Sequence, residues 1–155
     1  MDIGAFQSSE GLAAALPLSK EIRYRILFHQ PLRIAMQYIV THPNSPIRLK
    51  MVANAASMER TSFCRYFRRK TGIGFCVFVH MVKITLAQRL LVESDRSIGL
   101  LAVELGYGSV SAFVRNFKRA TGLTPTAFRQ NRFESDEPIF SSILNSEHER
   151  ISIGI

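Results

Sequence analysis

The sequence predicts an all-α fold: two helix-turn-helix subdomains joined by a long central helix, about seven helices, plus an N-terminal linker helix. Three observations predict it. Apolar residues recur at three- and four-residue spacing along the 155-residue chain, and no period-two run is long enough for a sheet. Residues 61–78 (TSFCRYFRRKTGIGFCVF) align without gaps with residues 111–128 (SAFVRNFKRATGLTPTAF). The most apolar window, 75–92, begins inside the first copy and ends before the second.

Each element follows from local pattern. Residues 1–17, rich in Gly, Ser and Ala, show no sustained period and are expected to lack regular structure. Residues 18–30 (LSKEIRYRILFHQ) are expected to form the linker helix, with Ile22, Ile26 and Leu27 on one side. Pro31 suits the first turn of the next helix, where its missing N–H costs nothing. Ile34, Ala35, Tyr38 and Ile39 then recur at helical spacing until THPNSP (41–46) breaks the pattern. A short helix over 48–56 turns Leu49, Val52 and Ala53 inward. Another over 59–70 does the same with Phe63, Tyr66 and Phe67, and Thr71-Gly72 ends it, glycine suiting a left-handed terminus. After the long helix at 75–92 the pattern restarts at Asp95. A short helix over 98–105 reaches a turn at Gly106, and a second over 109–120 ends at Thr121-Gly122. A last one begins at Thr124-Pro125 and runs through Phe128.

These elements divide the chain into an N-terminal segment (1–30), a helix-turn-helix module (31–132) and an acidic tail (133–155) expected to be flexible. Within the module the first helix-turn-helix covers about 47–72, the connecting helix 75–92 and the second helix-turn-helix 97–122.

The net charge of +8 is unevenly spread. Residues 31–132 hold 16 Lys/Arg against only Glu59, Glu93, Asp95 and Glu104, a net +12 between a neutral head and a tail of net −4. Such a module calls for a polyanionic partner, nucleic acid or an anionic membrane surface. His80, Lys83, Gln88 and Arg89 within the apolar window argue against a membrane span. The start has no basic leader and reads poorly as a signal peptide. Cys64 and Cys76 offer one possible pair, too little for a disulfide framework, so reduced thiols and a cytoplasmic, nucleoid-associated location are expected.

The repeat separates two kinds of residue. Phe63, Phe67, Phe113 and Phe117 sit four apart on one helical face and are core; Arg65, Arg68, Arg69, Arg115, Lys118 and Arg119 fall on the other. Upstream, Val52-Ala53 pairs with Leu101-Ala102 and Ser57 with Gly106. Short helix, tight turn and basic-faced second helix are the layout of a helix-turn-helix, whose second helix enters the DNA major groove. A connector of 18 residues is roughly 27 Å long. With the width of the flanking units it is expected to set the second helices about 34 Å apart, one DNA turn, at some cost in DNA bending. This favours duplex DNA over a membrane as the partner.

With these residues in view, the sequence resembles the DNA-binding domain of AraC/XylS-type bacterial transcription regulators over residues 34–129, most specifically in LAVELGYGSVSAFVRNFKRATGLTPTAFR (101–129). Ser57 stands where the family usually has the turn glycine, and Phe75 where the second half has Pro125. The resemblance implies promoter activation through contact with RNA polymerase as a further partner, while repression by occlusion is equally compatible with these residues; no cofactor is expected. It also implies a sensory or dimerisation domain ahead of the module. Residues 1–17 are too few for one, so the expectation is a truncated regulator or a short one, a monomer or weak dimer paired through a missing or external sensor domain.

The resemblance implies that Arg65 and Arg115 reach base edges, where a guanidinium pairs with guanine O6 and N7 for about 1–3 kcal/mol of discrimination. Arg60, Thr61, Cys64, Val110, Ser111 and Asn116 occupy the other base-facing positions, Val110 through apolar contact with a thymine methyl. Arg68, Arg69, Lys70, Lys118 and Arg119 are expected to neutralise phosphates, with Ser57 and Ser109 capping helix N-termini that point at phosphates. Cys76 and His80 lie four apart, too few for a metal site. No catalytic set is recognisable, so an enzyme is not expected. The competing reading is a short modulatory partner of a full-length regulator, acting through protein–protein contact.

Overall fold

The computed structural model describes residues 8–42 and 47–131. The acidic tail and most of the 41–46 turn cluster lie outside them. Among the described residues there are nine helices and no strand: α1 (Ser9–Ala15), α2 (Lys20–Phe28), α3 (Gln30–Thr41), α4 (Leu49–Ala55), α5 (Arg60–Thr71), α6 (Phe75–Glu93), α7 (Ile98–Glu104), α8 (Val110–Thr121) and α9 (Pro125–Gln130). The all-α reading holds. The chain forms two compact units, one up to Thr85 and one from Leu86, and α6 contains the division.

In the first unit α2 packs on α1, α3 and α5, and α4 packs on α3 and α5. Two expectations are corrected here. Ser9–Ala15 is helical, where residues 1–17 were expected to lack structure: Ser8 accepts a hydrogen bond from the Gly11 amide, and Leu12, Ala13 and Leu16 are buried. Ser9 Oγ donates to Gln37 Oε1 at 3.1 Å, tying α1 to α3. The linker helix is likewise part of the unit. Ile26 is fully buried, and Arg25 donates to the Lys70 carbonyl at 3.1 Å, at the end of α5. Seven residues containing a glycine carry no readable period, and such a helix forms because Leu12 and the flanking Leu16 find a core.

The phenylalanines build the interior as expected. Phe63, Phe67, Phe75 and Phe78 form one cluster with ring centroids 5.1–6.2 Å apart. In the second unit Phe113 lies 5.2 Å from Tyr107 and 5.8 Å from Phe117, and Phe117 lies 5.4 Å from Phe128. Each buried ring contributes about 1.5–3 kcal/mol of transfer free energy, more with edge-to-face geometry. By length and composition α6 is apolar enough to cross a membrane, but half of its apolar window is buried within the protein. Phe75, Phe78, Met81, Val82, Ile84, Ala87 and Leu91 are all core.

The sequence repeat is also a repeat of hydrogen bonds. Thr71 Oγ1 donates to the Phe67 carbonyl at 2.8 Å, and Thr121 Oγ1 to the Phe117 carbonyl at 2.9 Å. Gly72 (φ 79°) and Gly122 (φ 80°) end α5 and α8 in the left-handed region, each amide donating at 2.8 Å to the carbonyl four residues back. In the second unit Arg96 pairs with Glu104 at 2.9 Å, and Arg129 donates to the Arg96 carbonyl.

Candidate nucleic-acid interface

Each unit presents its second helix after a tight turn. In the first, the Ser57 amide donates to the Asn54 carbonyl and the Met58 amide to the Ala53 carbonyl, both at 2.9 Å. In the second, the Gly106 and Tyr107 amides donate to the Val103 and Ala102 carbonyls, also at 2.9 Å. Ser57 adopts φ 55° and Gly106 φ 69°, so both are left-handed turn residues. This corrects the expected cap. An N-cap needs extended backbone, and that conformation belongs to Glu59 (φ −68°, ψ 147°), whose carboxylate accepts from the Thr61 and Ser62 amides at 2.8 and 3.1 Å. Ser57 ends α4 instead of starting α5. Ser109 does cap α8, accepting from the Ala112 amide at 3.1 Å.

On α5, Arg60, Thr61, Arg65, Arg68 and Arg69 are exposed, opposite Phe63 and Phe67. The Thr61 hydroxyl donates to Glu59 Oε1 at 3.3 Å. Cys64, expected on the exposed face, is half-buried, and burial raises its thiol pKa. A thiol kept protonated is a poor nucleophile. Lys70 is half-buried, its ammonium over the Tyr66 ring at 5.9 Å; Arg69 lies over the same ring at 5.6 Å.

On α8, Val110, Ser111, Arg115, Lys118 and Arg119 are exposed, opposite Phe113 and Phe117. Asn116 is half-buried and donates its amide to the Ala112 carbonyl at 2.8 Å, which leaves its side-chain oxygen as an acceptor. The basic residues of both last turns also suit the negative end of the helix dipole, so their placement serves the helix even without a ligand.

Every one of the 15 candidate residues therefore lies on α5, on α8 or in the turn before it. Sequence reasoning missed Glu59. Its signal is an acid immediately before a basic helix; the 59–70 span expected from periodicity makes it the first helical residue, whereas it is the cap. Cys76 is exposed and His80 half-buried, and no group of metal-ligating residues occurs among the described residues.

A family model described as a helix-turn-helix domain matches residues 52–131, which takes in both turns, both basic helices and α6. The regulatory protein PocR of Salmonella typhimurium is 34% identical over 104 residues, 67% of this chain and 34% of that protein. Among solved structures, the DNA-binding domain of the global transcriptional factor AdpA, in complex with a target DNA, is 30% identical with a TM-score of 0.60, covering 66% of this chain and 92% of that one. A transcriptional regulator of Chromobacterium violaceum with an AraC-type DNA-binding domain matches in fold, with a TM-score of 0.62 at 19% identity over 67% of this chain and 93% of that one.

The chain belongs to the AraC/XylS family. It spans about a third of the length of the curated relatives it matches first. Its departures from the AraC/XylS pattern are absorbed locally. Ser57, in place of the turn glycine, keeps the same pair of backbone hydrogen bonds at the cost of a left-handed φ. Phe75 occupies the position of Pro125, both are buried, and Phe75 joins the phenylalanine cluster.

Proposed function

We propose that this chain is a sequence-specific, double-stranded-DNA-binding transcription regulator that inserts α5 and α8 into adjacent major grooves. The observation that carries the reading is the duplication itself. Two helices with the same buried phenylalanines and the same left-handed glycine ends present arginines at matching exposed positions. A repeated cationic helix suits a polyanion with a repeated groove. Arg65 and Arg115 read base edges, with Arg60, Thr61, Val110, Ser111 and Asn116 beside them; Cys64, being half-buried, contributes least. Arg68, Arg69, Lys70, Lys118, Arg119 and Ser109 hold phosphates.

Selection from a randomised duplex pool tests this. The full chain should enrich a motif of two half-elements about one turn apart, and a pool with no enriched motif would refute it. We further propose promoter activation through contact with RNA polymerase, no enzymatic activity of its own, and a cytoplasmic, nucleoid-associated location. A promoter reporter carrying the enriched motif should gain output when the chain is supplied. The charge pattern supports one alternative, a short modulator of a full-length regulator acting through its acidic tail. Deleting residues 133–155 should then tighten duplex binding, because the tail competes with phosphate for the basic faces.

A further inference from the structure

We propose that Glu59 is a specificity-determining residue. Held at the N-terminus of α5, its carboxylate turns phosphate away from that end and favours bases that present an amino group. The inference rests on the DNA-binding reading above.

The two recognition helices start differently. α8 starts from Ser109, a neutral cap that accepts one amide bond. At the matching place α5 starts from Glu59, whose carboxylate accepts from two backbone amides and the Thr61 hydroxyl. Helix N-termini ordinarily attract phosphate through free amides and the positive end of the dipole. On α5 the carboxylate takes two of those amides and offsets that partial charge. Hydrogen bonds from the Ser62 and Thr61 amides favour the ionised form and hold the Glu59 pKa below the usual carboxylate value. Its surface is exposed, and Arg60 is the cation beside it.

A carboxylate can only accept hydrogen bonds; both backbone amides donate to Oε2, so Oε1, which accepts only from the Thr61 hydroxyl at 3.3 Å, keeps a lone pair for a further donor. In the major groove cytosine N4 and adenine N6 are donors, whereas guanine and thymine present acceptors. Glu59 therefore selects cytosine or adenine at one position of one half-element. Nothing equivalent acts at Ser109, so the two half-elements differ in kind.

The test uses the full chain and three variants, E59S, E59Q and E59D. E59S reproduces the Ser109 cap, E59Q removes charge at nearly constant shape, and E59D keeps the charge. Circular dichroism melts establish that each is folded. Binding to a random-sequence duplex is measured by anisotropy at low and high salt, and each protein is put through the same selection. A charge several ångströms from phosphate in water-like surroundings changes affinity on the order of threefold. E59S and E59Q should bind random duplex that much more tightly at low salt, with the gap closing at high salt. E59D should follow the parent. The motif selected by E59S should lose its cytosine/adenine preference at one position only. Equal affinity of E59S and E59Q with the parent at low salt, or an unchanged motif, overturns the proposal. A parent that binds no duplex at low salt overturns the DNA-binding reading and this one with it. Binding by the parent without a Glu59 effect overturns this one alone.

Discussion

Replacing Ser57 by glycine separates a turn residue from a DNA contact. Ser57 holds φ 55° at the end of α4, where Gly106 holds φ 69° in the second unit. A left-handed backbone costs an L-residue about 1–2 kcal/mol. Glycine removes that cost but loosens the unfolded chain by about 0.5–1 kcal/mol. Ser57 is exposed, so no buried area is lost. The balance is a stabilisation of roughly 0.5–1 kcal/mol, or about 1–4 °C in Tm for a chain of this size. Urea titration followed by circular dichroism should show a raised midpoint with an unchanged slope. Gly106→Ser should do the reverse, losing about 0.5–1 kcal/mol on the same balance. Duplex affinity of Ser57→Gly should stay within about twofold of the parent, because Glu59 and not Ser57 caps α5. A lowered midpoint would refute the strain argument. A stable variant with clearly weakened duplex binding would return Ser57 to the phosphate contacts.

Further outcomes follow from the same geometry. Arg115→Ala should relax preference at one base position, by about 1–3 kcal/mol, whereas Arg68→Ala should weaken all sequences alike and lower the salt slope by about one; identical uniform losses in a binding-selection comparison would undo the division of roles. Burial pushes the Tyr107 hydroxyl up to about 12 from its ordinary 10. A raised folded-state pKa gives stability that is complete below the unfolded value and is lost as pH rises through the folded one, so the second unit should weaken between pH 10 and 12. Absorbance titration of the phenolate against unfolding checks this, and Tyr107→Phe should remove that component. Glu59, its pKa lowered, works the other way: its cap is present above the usual carboxylate value and is lost as pH falls through the lowered one. A comparison of acid unfolding in the parent and E59S should show the parent falling further. Phe117→Ala should cost about 3–5 kcal/mol by calorimetry, since its ring packs on Phe113 and Phe128 in a fully buried site.

The sequence by itself determined the helices of the repeat and the faces they bury. Spacing of three and four residues is a covalent property, and so is a glycine that accepts φ near 80° at both helix ends. Hence Phe63, Phe67, Phe113 and Phe117 were legible as core, and Arg65 and Arg115 as exposed. Tertiary structure decided what depends on neighbours distant in sequence. α1 exists because Leu12 and Leu16 are buried, and the Arg25 bond to the Lys70 carbonyl spans 45 residues. Tertiary structure also decided which residue caps α5. Ser57 and Glu59 are two residues apart and both carry acceptor oxygens, and composition does not choose between them. The choice falls to the backbone: the turn that closes α4 puts Ser57 in the left-handed region and leaves Glu59 extended, facing the amides it accepts from.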